Sequence, residues 1–572
     1  MRVAVVTGSP DAALLQELGE DGSAHGPLVQ EKDLAAAVAE REQAGDVRWV
    51  WADTAGVYPA LLRAGVRVER CHDVALTEGL LLGREGRVGE PASLAAAWAR
   101  LRGQPVPAAR GPDSAGLAGR GGAGQTALFE PADPVFPDAR AVLAALIAVH
   151  AAQLGRIAAD EHPGRFGLLA AAESAGGLAA AEMGFHGLPW RPDVHAELLA
   201  GLLGPRPAPG LRPQRLADLA ARISEAFGGR PVNPDSPAQL LRVFAADGVR
   251  LSSTRSAVLK QVEHPAVPLL LEYKELARLY AAFGWGWLGE WVSGGRFRPE
   301  YVVGGVVSGR WASRGGGALQ IPRVLRRAVM ADPGWVLVVA DAAQLEPRVL
   351  AALAGDRAFA AAAGTGDLYE ALAGAFGGDR AKAKVALLSA MYGGAGGEAG
   401  QLLAVLRHRF PLASQYVEAA ARAGEEGRVV RSRLGRTCPP PSAAWRGLTA
   451  VADDPAAGEQ SAGRTLRARG RFTRNFVVQA SAADWAMVLL AGLRQRLAGL
   501  SAADQAAAAD QAARLVFFQH DEVIVHCPRD QADAVVAAVQ EAAHEAGRLL
   551  FGETPVRFPV TTAVVESYAD AK

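Results

Sequence analysis

Two strand-like apolar runs, far apart in the chain and each ending in an acid, constrain the fold more than any other feature. Val336-Leu337-Val338-Val339-Ala340 has the length and β-branched character of a strand buried on both faces, and it stops at Asp341. Residues 515–527, LVFFQHDEVIVHC, are two such runs interrupted by His520-Asp521-Glu522, the pattern of a hairpin with acidic groups at its tip. Alone, an Asp at a strand end reads as a turn or N-cap residue. Together the acids say more, because carboxylates beside so much apolar strand are costly without a compensating cation. Two strand-borne aspartates that can meet in one sheet are what two-metal phosphoryl transfer needs. Each Mg2+ takes oxygen ligands, one ion activating an attacking hydroxyl and the other neutralising a leaving group. Beyond Asp341, Leu345, Val349 and Leu350 recur at helical spacing, so a helix should follow with Gln344, Glu346 and Arg348 pointing elsewhere.

Between the acids lies DRAKAKVALLSAMYGG, in which Arg380, Lys384, Leu388 and Tyr392 fall four apart and share a slowly drifting helical face. The cations come first, at the amino-terminal end, where the helix dipole also favours an anion. Tyr392, further along, is placed to stack on or gate a base; the plainer reading is a solvated basic helix end with Tyr392 as a core anchor.

These stretches resemble the family A DNA polymerases, the type of bacterial DNA polymerase I. DAAQLEPRVLAALAGD looks like the family's motif A, DRAKAKVALLSAMYGG its motif B, and FFQHDEVIVHCP its motif C. SGRWAS with ALQIP, LGR at 434–436, and RFTRNFVVQASAADW match further family patterns in the right order. The resemblance implies an α/β and α+β multidomain protein: an N-terminal exonuclease-like (RNase H-like) α/β domain, then a right-hand polymerase fold. The expected divisions are 1–160 exonuclease-like, with a flexible loop over 103–134; 161–300 thumb; 301–355 palm; 356–449 helical fingers; and 450–572 palm again, with an antiparallel sheet.

By the same resemblance, Asp341 and Asp521 hold two Mg2+ ions (or Mn2+), with the Ala342 backbone carbonyl and Glu522 as further candidate ligands. Arg380 and Lys384 bind the triphosphate, Lys384 also protonating or stabilising the departing pyrophosphate. Gln344, Tyr369, Leu388 and Tyr392 line the nucleotide site, and Glu346 closes off the sugar's 2′ side. Arg310, Gln320, Arg471, Asn475, Gln479 and His520 contact DNA, and Arg326 and Arg327 lie on the template side. Several positions depart from the family pattern: Ala342, Ala343 and Pro347 in motif A, Leu388 where an aromatic packs on the sugar, and Tyr369 where a His is common. The expected partners are primer-template DNA and dNTPs, for a monomer in the cytoplasm, associated with the nucleoid.

At 572 residues the chain is too long for one core. The first hundred residues alternate short apolar runs with Ala- and Leu-rich stretches, an α/β pattern. CHDVALTEGLLLG looks like an exonuclease segment around one acid, Asp73, but MRVAVVTGSP lacks the DxE pair that a two-metal exonuclease needs, and Asp53, Asp138 and Asp160 are the other acids at hand. Weak or absent proofreading is therefore expected, against the alternative of an active 3′–5′ exonuclease. Phe283 to Trp287 reads as aromatic packing where thumb meets palm. No 5′-nuclease segment is seen upstream, no signal peptide begins the chain, and no apolar run of membrane length is apparent. Three scattered cysteines exclude a CxxC metal site. Formal net charge is +0, so DNA must be drawn by local clusters, for which Arg464, Arg467, Arg469, Arg471 and Arg474, and Arg428, Arg431, Arg433 and Arg436, are the candidates. Two rivals remain: a single-subunit RNA polymerase, which Glu346 opposes, and a non-catalytic DNA-binding relative.

Overall fold

A computed structural model of the chain describes residues 1–7, 13–107, 136–364, 366–393, 398–450, 459–503 and 512–571. Most of the Gly/Pro/Ala-rich loop and much of the Ala-rich run after residue 503 lie outside them.

The amino-terminal part is a five-stranded sheet in the order β3-β2-β1-β4-β5, built from β1 (Arg2–Thr7), β2 (Ala13–Leu18), β3 (Ala24–Glu31), β4 (Arg48–Trp51) and β5 (Cys71–Asp73). The first three strands pair antiparallel, whereas β1, β4 and β5 run parallel. Helices α1 (Leu34–Ala44), α2 (Thr54–Arg63), α3 (Val74–Arg84), α4 (Leu94–Leu101) and α5 (Ala139–Ala158) accompany it. The acids considered as nuclease ligands serve this fold. Asp53, Asp73 and Asp138 cap α2, α3 and α5 by accepting from backbone N–H groups, and Asp160 pairs with Arg84 at 2.6 Å.

Helix α6 (Pro163–His186) follows. Phe166, Leu169, Ala179 and Met183 are buried in the core of the acidic sheet, and Leu178 is buried against the amino-terminal sheet. An Ala- and Gly-rich helix is apolar on several faces, so its sequence announces burial without naming the partner.

Residues 188–329 form a second core. It comprises α7 (Pro192–Leu203), α8 (Gln214–Ala226), α9 (Pro237–Ala246), α10 (Ser256–Leu259), α11 (Ala266–Phe283) and α12 (Trp285–Trp291), with the short strands β6 (Leu188–Pro189), β7 (Val292–Ser293) and β8 (Arg296–Phe297) at its base. Trp287 is buried there among Trp190, Phe283 and Phe297. A ribbon of β9 (Glu300–Val302) and β10 (Ala312–Arg314) leads onward.

The remaining chain builds a four-stranded antiparallel sheet in the order β12-β13-β11-β14, from β11 (Trp335–Ala342), β12 (Arg514–Gln519), β13 (Glu522–Pro528) and β14 (Val560–Val565). Alternation along β11 sends Val336, Val338, Ala340 and Ala342 into one core and Leu337 and Val339 into the other, as expected of a strand buried on both faces. Between β11 and β12 come α13 (Leu345–Ala354), α14 (Arg357–Ala362), α15 (Leu368–Ala373), α16 (Arg380–Tyr392), α17 (Glu398–Arg409), α18 (Pro411–Glu425), α19 (Ala443–Ala450) and the 45-residue α20 (Glu459–Ala503). Helix α21 (Ala532–Phe551) precedes β14. Two helical stretches, Ala139–Ala158 and Ala462–Leu500, are long and apolar enough to cross a membrane by length and composition, which corrects the expectation of no such run; the second is mostly buried inside the protein.

Candidate polymerase active site

Strand pairing brings the two distant acids together. Asp341 lies directly opposite Glu522, and the N–H of Ala342 donates to the backbone carbonyl of Asp521 at 2.9 Å. Asp521 thus sits at the exposed tip of the β12–β13 hairpin beside the end of β11. The backbone there is held in an uncommon state. Three described non-glycine residues have positive φ, and two of them, Gln344 at 56° and His520 at 58°, flank this corner. Each left-handed residue costs about 1–2 kcal/mol, a strain typical of functional sites.

Glu346, in the first turn of α13, is the next part of the site. The Arg310 guanidinium donates to its Oε1 and the Tyr392 hydroxyl to its Oε2. Gln479 on α20 also bonds the Tyr392 hydroxyl, whose pKa is pushed up by burial and by Glu346. His520 is close enough to Arg310 and Glu346 to feel both charges; desolvation first and Arg310 second lower its pKa. Arg310, Glu346, Tyr392, Gln479 and His520 therefore form one cluster beside the hairpin tip.

The α16 face is also present. Asp379 caps the helix, Arg380 and Lys384 are exposed, Leu388 is half-buried, and the opposite side buries Ala383, Ala386, Leu387 and Met391. Arg380, however, is engaged: it donates to Asp367 at 3.0 and 2.8 Å and lies over the Tyr369 ring at 5.5 Å. Burial opposes ionisation of Asp367, but hydrogen bonds from Arg380, the Glu370 N–H and Gln344 outweigh it and hold its pKa at about 2. Lys384 makes no such contact among the described residues. Arg471 is exposed against Gly393, the left-handed C-cap of α16. Asn475 is half-buried, and Gln320 is exposed on the short turn Ala318–Gln320.

Several of the other polar side chains singled out in the sequence are engaged within the protein. The Gln344 side chain donates to Asp367 and accepts from the Leu368 N–H, both at 2.9 Å, which ties the strand end to α15. Tyr369 is buried and backs Arg380. Arg348, expected on a polar face, is 0% exposed and donates to the carbonyls of Ala343, Ala363, Gly366 and Arg557, locking α13 to the loops beside it. Glu522 is buried against Tyr568, whose hydroxyl donates to it, and Arg326 stacks over that ring at 4.3 Å. The Arg428–Arg436 cluster is not an open basic surface. Arg433 donates to the Leu550 carbonyl at 3.0 Å, Arg428 pairs with Glu426, and Arg436 is buried between Glu173 at 2.7 Å and Asp484 at 3.0 Å. Sequence reasoning missed Tyr568 as a member of the site, and an isolated Tyr near the end of the chain gives no pattern by which to find it.

The buried Glu173–Arg436–Asp484 triad lies beneath the turn that presents Arg310. Gly309 has φ +85°, and a Cβ there would collide with the Arg436 guanidinium, so this position requires glycine twice over.

The residues present suit Mg2+. Among the described residues no three His, Cys, Asp or Glu side chains converge on one point, and Asp341 and Asp521 are the two carboxylates that strand pairing brings to this corner. That is the donor set Mg2+ favours, since it dehydrates reluctantly and completes its shell with water and substrate phosphate.

Known proteins resemble this chain in sequence and in fold. DNA polymerase I of Chloroflexus aurantiacus is 27% identical over 374 residues, 57% of this chain and 37% of that protein. Thermostable DNA polymerase I of Thermus aquaticus is 25% identical over 402 residues, 63% and 44% of the two chains. The chain thus spans under half the length of these curated relatives. The polymerase domain of Pol1 from M. smegmatis, solved with DNA primer-template and dNTP, superposes with a TM-score of 0.71 at 18% identity, covering 100% of this chain and 96% of that one, a likeness of fold. The sequence model of DNA polymerase family A matches residues 212–570, the stretch that carries every element of the acidic corner, and the chain belongs to that family.

Proposed function

We propose that this chain is a DNA-directed DNA polymerase that adds dNTPs to a primer 3′-hydroxyl, with 188–300 as thumb, the four-stranded sheet as palm and α14 to α19 as fingers. The observation that carries the reading is the meeting of Asp341 and Asp521 at one strained sheet corner, next to Glu346 and the cationic face of α16. Two bound Mg2+ ions would supply activation of the 3′-hydroxyl and neutralisation of the departing pyrophosphate. Asp341, Asp521 and the Ala342 carbonyl are the groups that would hold them. Lys384, exposed and without a partner among the described residues, is placed to meet the triphosphate and to give a proton or charge to the leaving pyrophosphate. Arg380 joins it by exchanging Asp367 for phosphate, a swap between two anions. Glu346, fixed by Arg310 and Tyr392, fills the space that a ribose 2′-hydroxyl would need.

The amino-terminal domain serves as a scaffold and not as a proofreading nuclease. Asp73 supports this: it is buried, accepts from the Thr54 N–H and hydroxyl and the Leu76 N–H, and burial pushes its pKa up to about 6. A carboxylate so enclosed is not available to a metal in a DNA cleft.

Primer extension with Mg2+, comparing dNTPs with rNTPs, tests the reading. Templated extension with dNTPs is expected. Preference for rNTPs would favour an RNA polymerase, and binding without extension would leave a non-catalytic DNA-binding protein.

A further inference from the structure

The turn Tyr568–Ala571 folds back against the acidic end of the four-stranded sheet. Asp341 and Glu522 are paired residues of β11 and β13, so their side chains share one face, the face on which Leu337, Val339 and Ile524 also lie. Like charges directly opposite destabilise an antiparallel pair. Glu522 is nevertheless kept 4% exposed, and the Tyr568 hydroxyl donates to its Oε1.

Tyr568 is itself fixed from several sides. It is 1% exposed, its N–H donates to the Val329 carbonyl at 3.0 Å, the Arg326 guanidinium covers its ring at 4.3 Å, and the Phe517 ring lies 6.2 Å away. A donor on so rigid a ring fixes the rotamer of the carboxylate it touches, as a supporting shell must do for a site that needs defined geometry.

We propose that Tyr568 is a positioning residue for phosphoryl transfer: it holds Glu522 as a fixed, non-ligating acid beside Asp341, so that of the three carboxylates only Asp341 and Asp521 meet the cations. This rests on the assignment of that pair given under Proposed function. Released from Tyr568, the Glu522 carboxylate can swing to the cation as a third anionic ligand. It then binds the ion more tightly and occupies a position that substrate oxygen needs.

The test uses Mn2+ as an EPR-visible probe, titrated into the full chain bound to a dideoxy-terminated primer-template, with extension kinetics measured separately. Tyr568→Phe keeps the ring and loses only the donor. It is expected to bind Mn2+ at least about threefold tighter, with kcat about tenfold lower and KM for dNTP within about twofold of wild type. Adding Glu522→Gln to Tyr568→Phe returns Mn2+ affinity to within about twofold of wild type, and Glu522→Gln alone stays in that range. Unchanged or weaker Mn2+ binding by Tyr568→Phe overturns the inference, as does a loss of about tenfold or more in Glu522→Gln, which would make Glu522 a ligand. If Tyr568→Phe does not fold, Glu522→Gln decides alone. Asp341→Asn is the control for the underlying reading: if it leaves Mn2+ affinity unchanged, the site assignment fails and not merely the role of Tyr568.

Discussion

Glu346 takes two partners at once, and that double duty sets what its removal should do. Its carboxylate receives Arg310 on one oxygen and Tyr392 on the other, so its position, proposed to lie over the nucleotide's sugar, is fixed by residues from two other segments. Glu346→Ala should therefore lower the ratio of dCTP to CTP catalytic efficiency by about tenfold or more, and lower dCTP efficiency as well, because Arg310 and Tyr392 lose their anchor. If Leu388 stands where the family's aromatic packs on the sugar, discrimination in the wild type should already be modest. Competing incorporation of the two nucleotides by wild type and variant measures this, and an unchanged ratio would remove Glu346 as the gate.

The elements around the corner are joined by buried cations that an element-by-element reading does not see. Arg436 binds α6 to α20 through Glu173 and Asp484, and Gly309 packs on its guanidinium. Arg436→Met leaves two buried carboxylates without their cation, which should cost about 3–5 kcal/mol and displace the turn carrying Arg310. Denaturant unfolding should show the loss, and Arg436→Lys should restore only part of it, because an ammonium cannot bridge two carboxylates as a planar fork does. The acid pair and the α16 face were legible in the sequence because each rests on short-range periodicity: β-branched runs ending in Asp, and cations four apart. Arg348, Arg433 and Arg436 were not, since an arginine is read as solvated unless its partners are known, and these partners come from loops or helices distant in the chain. Tyr568 is the same case in miniature. Gln344 shows a different limit: polar and beside the acid, it looks like a substrate contact, but its left-handed backbone turns it onto Asp367 and Leu368.

At the scale of the molecule, the amino-terminal domain is welded to the rest by Arg494 of α20. Its guanidinium contacts Glu182 of α6 at 2.6 Å and the carbonyls of Val68 and Glu69, while the Tyr58 hydroxyl donates to Glu182 at 2.6 Å. Burial opposes ionisation of Glu182, but Arg494, Arg67 and the hydrogen bonds prevail and lower its pKa from 4.5 to about 2. A folded pKa below the unfolded one stabilises the protein above the unfolded value, and that contribution is lost as pH falls from about 4.5 to 2. Glu182→Gln should destabilise by a few kcal/mol at pH 7 and show a flatter stability profile through that acid window; a parallel profile would contradict the coupling. A domain so attached, with its acids used as helix caps, should not degrade a mismatched primer from its 3′ end in Mg2+. Degradation that disappears with Asp73→Ala would overturn the scaffold role. The central claim, that Asp341 and Asp521 are the catalytic pair, is tested most directly by single-turnover primer extension in Mg2+ with the primer-template affinity of each variant measured in parallel. Asp341→Ala and Asp521→Ala should each slow extension by about a thousandfold or more, the loss of several kcal/mol of charge stabilisation, while binding primer-template within about threefold of wild type. Extension at near wild-type rate by either variant would contradict the account.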